Sequence, residues 1–271
     1  MIWSCPVCSA HLVKQDRSWR CDQGHSFDCA KEGYVNLLLA NQKRTAEPGD
    51  TREMMIHRRA FLEAGAFLPL SKALNQVIQS LQPKTLLDCG CGEGYYLQQY
   101  LKTINTESEL TVFGLDISKE AVRMASKTLR EHVNFSVASS FHLPVMDASV
   151  DLLLRVFAPG DIAEVQRVLT PEGTFVLVVP GANHLFSLKE ALYQTPKVHE
   201  LPPVPEGFVC EREVPVGFDL HLEDNESIRH LLAMTPFVWK GDRKAKEALE
   251  KLTRFSTRAE FMIRVYRHHG H

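Results

Sequence analysis

No apolar run in the chain approaches the roughly 18 residues that a membrane span needs, which excludes a helix-spanning membrane protein. Net charge is also scarce. Thirty-one Lys and Arg stand against 33 Asp and Glu, a balance of −2, so the chain does not coat nucleic acid by charge alone. The start, Met1-Ile2-Trp3-Ser4-Cys5-Pro6, carries neither the basic nor the apolar region of a secretory leader, and the expectation is a cytoplasmic protein. Internal repeats and low-complexity tracts are missing, which excludes solenoids and disordered scaffolds. What remains is globular: 271 residues, 44% hydrophobic and 24% charged, enough for one α/β domain of about 200 residues and a small module. Seven cysteines fit a reducing compartment as thiols or metal ligands.

Residues 1–40 are too few to bury a core of their own. Pro48-Gly49-Asp50 then leads into an apolar-periodic stretch, Met54 to Leu62, which predicts a helix with Asp50 or Thr51 as its N-cap. A second helix is expected over Pro69–Leu81, ended by Pro83. From residue 84 the pattern alternates. Strands are expected at Thr85–Cys89, Thr111–Leu115, Val133–Ala138, Val150–Phe157 and Thr174–Val179, with helices at Tyr95–Leu101, Ser118–Leu129 and Ile162–Leu169. Such alternation means a mainly parallel sheet covered on both faces. Residues 196–217, rich in Pro and Gly, read as a loop or linker, and Glu260–Tyr266 as an antiparallel edge strand.

The N-terminus spells Cys5-Pro-Val-Cys8, twelve residues, then Cys21-Asp-Gln-Gly-His25. Two ligand pairs on tight turns, separated by a short hairpin, let four sulfur and nitrogen donors converge as a tetrahedron, the donor set zinc prefers. Cys29 lies within reach of the same turn and competes with His25 for the fourth position. Four ligands leave no open site, so one zinc here is expected to be structural.

Leu86-Leu87-Asp88-Cys89-Gly90-Cys91-Gly92-Glu93-Gly94-Tyr95 is a buried strand running into a glycine loop and a helix. A Gly-x-Gly-x-Gly spacing preceded by an acid resembles the first motif of class I methyltransferases. Asp116 ends the next strand, 28 residues after Asp88, where a carboxylate can accept hydrogen bonds from both ribose hydroxyls or cap the helix starting near Ser118. Ser139-Ser140-Phe141-His142-Leu143-Pro144 and Ser149-Val150-Asp151 resemble the later pattern Asp-Ala-x-x-Leu-Pro and Ser-Phe-Asp, with Ser139 in place of the acid that often contacts adenine. Arg167-Val168-Leu169-Thr170-Pro171-Glu172-Gly173 resembles the turn before the fifth strand. The fold class implied is α/β, a class I (Rossmann-like) methyltransferase with a mainly parallel sheet, plus a small N-terminal zinc-ribbon domain.

With both halves in place, the whole chain resembles the bacterial 23S rRNA guanine-N1 methyltransferases. Carrying the resemblance are the Cys5/Cys8/Cys21/His25 spacing, Ala30-Lys31-Glu32-Gly33-Tyr34-Val35-Asn36-Leu37-Leu38, Pro48-Gly49-Asp50, Gly92-Glu93-Gly94-Tyr95-Tyr96 and Met234-Thr235-Pro236-Phe237. It implies methyl transfer from S-adenosylmethionine to N1 of a guanine in hairpin 35 of 23S rRNA. It further implies cofactor contacts from Asp88, Gly90, Gly92, Glu93, Gly94, Asp116 and Ser139, from His184 in Pro180-Gly181-x-x-His184, and from an aromatic ring at 67. Relatives often carry tyrosine there; Phe67 lacks the hydroxyl, and Phe67 and His184 each also fit simple packing or loop positions. The implied partner is the rRNA, with no membrane and with a homodimer left open.

Guanine N1 is protonated at neutral pH, so a base or water must take its proton. Asp161 and Glu164 follow the fourth strand and are weighed as that base against plain solvated helix residues. Phosphate contacts are expected from the ribbon, from Lys43, Arg44, Arg52, Arg58 and Arg59, and from the stretch beginning at Lys240, where nine Lys or Arg face four acids. Three segments follow: 1–40 for zinc and RNA recognition, 41–83 as a helical linker packing on the cofactor site, and 84–271 for methyl transfer. The rivals are a class I methyltransferase acting on tRNA or a small metabolite, and a non-catalytic RNA-binding protein with a methyltransferase-like body. The second predicts a damaged glycine loop or a missing Asp116, and both are intact.

Overall fold

The computed structural model describes residues 1–42, 50–104, 109–235 and 242–268. Lys43, Arg44, Pro48, Gly49, Pro236, Phe237 and Lys240 lie outside them. Three short strands, β1 (Val13–Gln15), β2 (Ser18–Arg20) and β3 (Ser26–Asp28), form a small antiparallel sheet at the N-terminus. The main sheet has eight strands: β4 (Val35–Asn36), β5 (Thr85–Cys89), β6 (Thr111–Asp116), β7 (Val133–Val137), β8 (Val150–Val156), β9 (Leu169–Pro180), β10 (Phe208–Leu222) and β11 (Phe255–His268). Their spatial order is β10-β11-β9-β8-β5-β6-β7-β4. Strands β4 to β9 run parallel, while β11 is antiparallel to both β9 and β10.

The chain winds outward from β5 through β6 to β7, then returns to β8 on the other side of β5. That reversal opens a crevice beyond the carboxyl ends of β5 and β8, where open α/β sheets bind ligands. Two expectations are corrected here. The second half of the expected linker 196–217 is not a loop, because the chain enters β10 at Phe208. Nor is Glu260–Tyr266 the edge, since it lies within β11, between β9 and β10. Pro215 and Gly217 argue against a strand in sequence, yet β10 is an edge strand, the position where proline is tolerated.

Helices α1 (Arg52–Glu63), α2 (Leu68–Leu81), α3 (Tyr95–Leu101) and α4 (Lys119–Leu129) cover one face. They pack Phe61, Leu70, Leu74, Leu97, Val122 and Ala125 on Leu86, Val112, Leu152 and Leu154. Thr51, not Asp50, caps α1, its hydroxyl accepting from the Met54 N–H at 3.3 Å. Helices α6 (Phe186–Leu192), α7 (Asn225–Met234) and α8 (Arg243–Leu249) extend that layer.

Among the described residues, the opposite face is covered by one helix, α5 (Ile162–Val168), and by the N-terminal module itself. Ile2, Trp3, Leu12 and Trp19 pack with Leu87, Phe113, Leu115, Leu143 and Val145. Trp3 is fully buried and meets the Phe113 ring edge-on at 5.4 Å. Strand β4 pairs with β7, so the segment leaving the module also extends the main sheet. Forty residues that cannot bury a core alone thus complete the core of a larger domain.

Candidate cofactor and metal sites

Cys5, Cys8, Cys21 and His25 bring their donor atoms within 4.8 Å of one another. The Cys8 and Cys21 sulfurs are 3.7 Å apart, and His25 Nδ1 lies 3.6 Å from Cys5 Sγ and 3.4 Å from Cys21 Sγ. A zinc tetrahedron with ordinary bond lengths has sulfur–sulfur edges of about 3.8 Å and sulfur–nitrogen edges of about 3.6 Å. The donors therefore fit zinc in both chemistry and spacing. Cys29 does not join them; its backbone pairs with Val35 and its N–H donates to Arg17 O.

At the sheet's crevice, the glycine loop turns tightly at the end of β5. The Gly90 and Cys91 N–H groups both donate to Leu115 O, at 2.8 and 2.9 Å. Gly90 has a φ of +90°, and any Cβ there would overlap the Ala158 methyl. Gly94 starts α3 with its φ at +86°, so close to α4 that a Cβ would sit 3.0 Å from Leu129 Cδ1 and 3.1 Å from Ala125 Cβ. Beside Gly92, by contrast, a Cβ would meet nothing within 4 Å. That open space is where a ligand can lie against the loop.

Two acids face this loop, Asp88 buried and Asp116 half-buried. Asp116 accepts from the Gly92 N–H at 2.9 Å and from the Ser118 N–H at 2.8 Å. Ser118 itself caps α4, accepting from Ala121, so capping does not fall to Asp116. Burial raises the Asp116 pKa against those two amide bonds. Asp88 is more isolated: its Oδ1 is buried without a hydrogen-bond partner among the described residues. Burial, and then the charge of Asp116, push it up to about 8. An orphaned acid beside an open cradle, which ionises when a cation neutralises it, fits a cationic cofactor, as S-adenosylmethionine is.

Asp88 also yields a pH prediction. A carboxyl whose pKa is higher in the folded than in the unfolded state keeps a proton that unfolding releases, so stability falls as pH rises from about 3.8 to about 8. Asp88→Asn should therefore flatten the decline in Tm of the ligand-free protein between pH 6 and 8. Thermal melts of both proteins across that range check it; parallel declines would reject the buried, protonated Asp88.

Around the acids the remaining residues assemble. Ala138 N–H donates to Asp116 O at 3.0 Å, which sets Ser139 beside the β6 end; its hydroxyl accepts from the Phe141 N–H at 3.2 Å. Glu93 is buried and accepts from Arg59 Nε at 3.3 Å; burial raises its pKa and Arg59 opposes. Arg59 also reaches Glu63, while Arg58 pairs with Asp50 at 2.5 Å and Arg52 with Glu120 at 3.4 Å. Sequence signalled only that these arginines were basic. Their partners lie 8, 34 and 68 residues away along the chain and come together only on folding.

Phe67 is buried in an aromatic wall, 4.9 Å from Phe261, 5.3 Å from Phe61 and 6.1 Å from His184 between ring centres. His184 Nδ1 accepts from the Glu260 N–H at 3.3 Å, and burial, then the neighbouring His199, lower its pKa to about 3. It is a neutral ring at physiological pH. Phe261 was legible only as a strand residue, because its ring partners come from the Phe67 turn, from Phe157 after β8, from His184 after β9 and from Phe218 in β10. Asp161 caps α5 through the Ala163 N–H, and Glu164 ties Leu143 N to Arg167. Both acids are thus committed to local structure.

A parallel α/β sheet with its glycine loop, two acids at the switch point and a Cys3His cluster defines a class I S-adenosylmethionine-dependent methyltransferase fused to a zinc ribbon. Residues 3–46 match the zinc-ribbon family model described as "RlmA, N-terminal", and residues 82–232 match the model described as "Methyltransferase domain". The "23S rRNA (guanine(748)-N(1))-methyltransferase" of Streptomyces fradiae is 34% identical over 252 residues, covering 88% of this chain and 86% of that protein. The "Putative 23S rRNA (guanine-N(1)-)-methyltransferase YxjB" of Bacillus subtilis (strain 168) is 30% identical, covering 93% of this chain and 92% of its own length. This chain belongs to the 23S rRNA (guanine-N1)-methyltransferase family. Among the described residues no helix is long and apolar enough to cross a membrane.

Proposed function

We propose that the protein transfers a methyl group from S-adenosylmethionine to N1 of a guanine in hairpin 35 of 23S rRNA, in the cytoplasm. The observation that carries this reading is that a relative named as a 23S rRNA guanine-N1 methyltransferase is similar over 88% of the chain, while ribbon and sheet each match a family model. The cofactor supplies a methyl already activated on a sulfonium, so the protein's task is alignment. In this reading Asp116 holds the ribose, Asp88 gives up its proton to face the cofactor's positive charge, and Gly90, Gly92, Glu93 and Gly94 shape the loop. Ser139 lies toward adenine, and Phe67 with His184 forms the wall. With Asp161 and Glu164 both engaged, neither is assigned the N1 proton, and water is its acceptor.

Residues 1–40 serve zinc and RNA, 41–83 link and pack on the cofactor site, and 84–271 transfer the methyl. Arg52 is exposed enough to meet phosphate, its side chain being 72% accessible, whereas Arg58 and Arg59 face inward, at 28% each. Methylation at N1 blocks the Watson–Crick edge and stops reverse transcriptase. Primer extension on 23S rRNA from cells with and without the protein should give a stop in hairpin 35 that depends on it. A stop elsewhere, or methylation of tRNA instead by the purified enzyme, would reject this substrate. Light scattering of the same preparation reads whether the chain works as a homodimer.

A further inference from the structure

Strand β8 is buried almost throughout, but the next residue breaks with it. Phe157 is 43% exposed and has a φ of +54°. For a bulky aromatic residue that backbone is strained, and such strain persists only where surrounding contacts impose it. Here they do. The Phe157 N–H donates to Val178 O at 3.1 Å, the following Ala158 methyl is wedged under Gly90, and the ring rests on Phe261 at 5.5 Å. Neither burial nor backbone preference accounts for a phenylalanine at this point. Glycine would relieve the backbone, and a polar side chain would suit the exposure.

Its place in the fold supplies a reason. The glycine loop ends β5, which lies between β6 and β8. Asp116 and Ser139 gather on the β6 and β7 side, leaving the β8 side of the loop for the methyl acceptor. Phe157 stands there, one residue from Ala158, with one side of its ring fixed by Phe261 and the remainder open. N1 lies on the pairing edge of guanine, so the target must leave its stack to be methylated, at a cost of a few kcal/mol. An aromatic face held in advance replaces part of the lost stacking.

We propose that Phe157 is the platform on which the extruded guanine stacks, a substrate-positioning contact on the opposite side of the glycine loop from Asp116. This deepens, and rests on, the reading of the chain as a guanine methyltransferase. The test uses the full-length, zinc-loaded protein and a hairpin 35 transcript. Phe157→Ala and Phe157→Leu should each lower kcat/KM for the hairpin by about 5- to 150-fold, the range for one base on one aromatic ring. Phe157→Tyr should restore it, and affinity for S-adenosylmethionine should stay within about twofold in every variant. Phe157→Trp adds a direct signal. Hairpin binding should quench its extra fluorescence relative to wild type, and an abasic nucleotide at the target position should abolish the quenching. Full activity of Phe157→Leu would mean that bulk, not stacking, matters, and would overturn the proposal. So would a loss of cofactor affinity with hairpin binding intact, which would give the ring to the cofactor. A wild-type enzyme that methylates no guanine of the hairpin overturns the substrate reading and this proposal together. An active wild type with an unchanged Phe157→Ala overturns this proposal alone.

Discussion

Replacing Cys21 with serine is expected to strip the zinc and to destabilise the whole protein, not only its N-terminus. The ribbon's three strands have three residues each and little apolar interior, so their geometry depends on the four donors converging. Zinc in small ribbon and finger modules contributes folding free energy outright, on the order of 10 kcal/mol in isolated peptides. In this chain the consequence spreads, because Ile2, Trp3, Leu12 and Trp19 cover Phe113, Leu115 and Val145 on a sheet face that, among the described residues, has only α5 besides. A net loss of about 5 kcal/mol would lower Tm by about 10–20 °C for a domain of this size. Metal analysis should give about one zinc per wild-type chain and far less than one for the variant, and scanning calorimetry should record the drop. A variant that keeps its zinc would dismiss Cys21 as a ligand. One that loses zinc and melts normally would mean that the ribbon packs without its metal. The same packing predicts that deleting residues 1–40 exposes the sheet and compromises cofactor binding as well as RNA binding.

The second large effect separates two glycines that look alike in the sequence. Gly90→Ala should cost both stability and cofactor binding: the methyl would overlap that of Ala158, and the left-handed backbone adds strain. Together these cost roughly 2–6 kcal/mol, strain and overpacking each contributing about 1–3. Gly92→Ala meets nothing within 4 Å, so it bears only the strain of a left-handed backbone at φ +55°, about 1–2 kcal/mol, and should melt only a few degrees below wild type. Its methyl would nevertheless stand in the space assigned to the cofactor, so affinity for S-adenosylmethionine should fall by about tenfold or more, the equivalent of 1.4 kcal/mol. Melting curves and isothermal titration on the two variants give a two-by-two outcome. If Gly92→Ala binds the cofactor normally, the ligand does not lie against that stretch of the loop.

The parts legible in the sequence share a physical character. Zinc donors declare themselves because two tight turns fix their spacing within a few residues, as at Cys5/Cys8 and Cys21/His25. Parallel strands such as Leu86–Cys89 and Leu152–Val156 are legible because burial on both faces requires continuous apolar runs. The loop at Gly90 to Gly94 is legible because few other residues survive those backbone angles. In each case the constraint is local, and the chain must meet it with particular residue types wherever the rest of the molecule goes.

Tertiary structure decided what depends on distant partners. Most of strand β10 reads as a linker because its Pro215 and Gly217 are tolerable only on an edge, and edge status is set by where β11 inserts. Arg58 and Arg59 look like phosphate contacts until folding brings Asp50 and Glu93 to them and turns them inward. Trp3 is an anonymous aromatic until it meets Phe113. Phe157 reads as the last apolar residue of a strand, and only Ala158 against Gly90 and the ring of Phe261 turn it out to solvent at the crevice. The sequence alone determined the chemistry, a zinc ribbon and a class I methyltransferase site, because donor atoms and backbone angles are local requirements. Which surfaces those parts present to one another and to a substrate was decided by packing, which pairs residues by shape and charge across the whole chain.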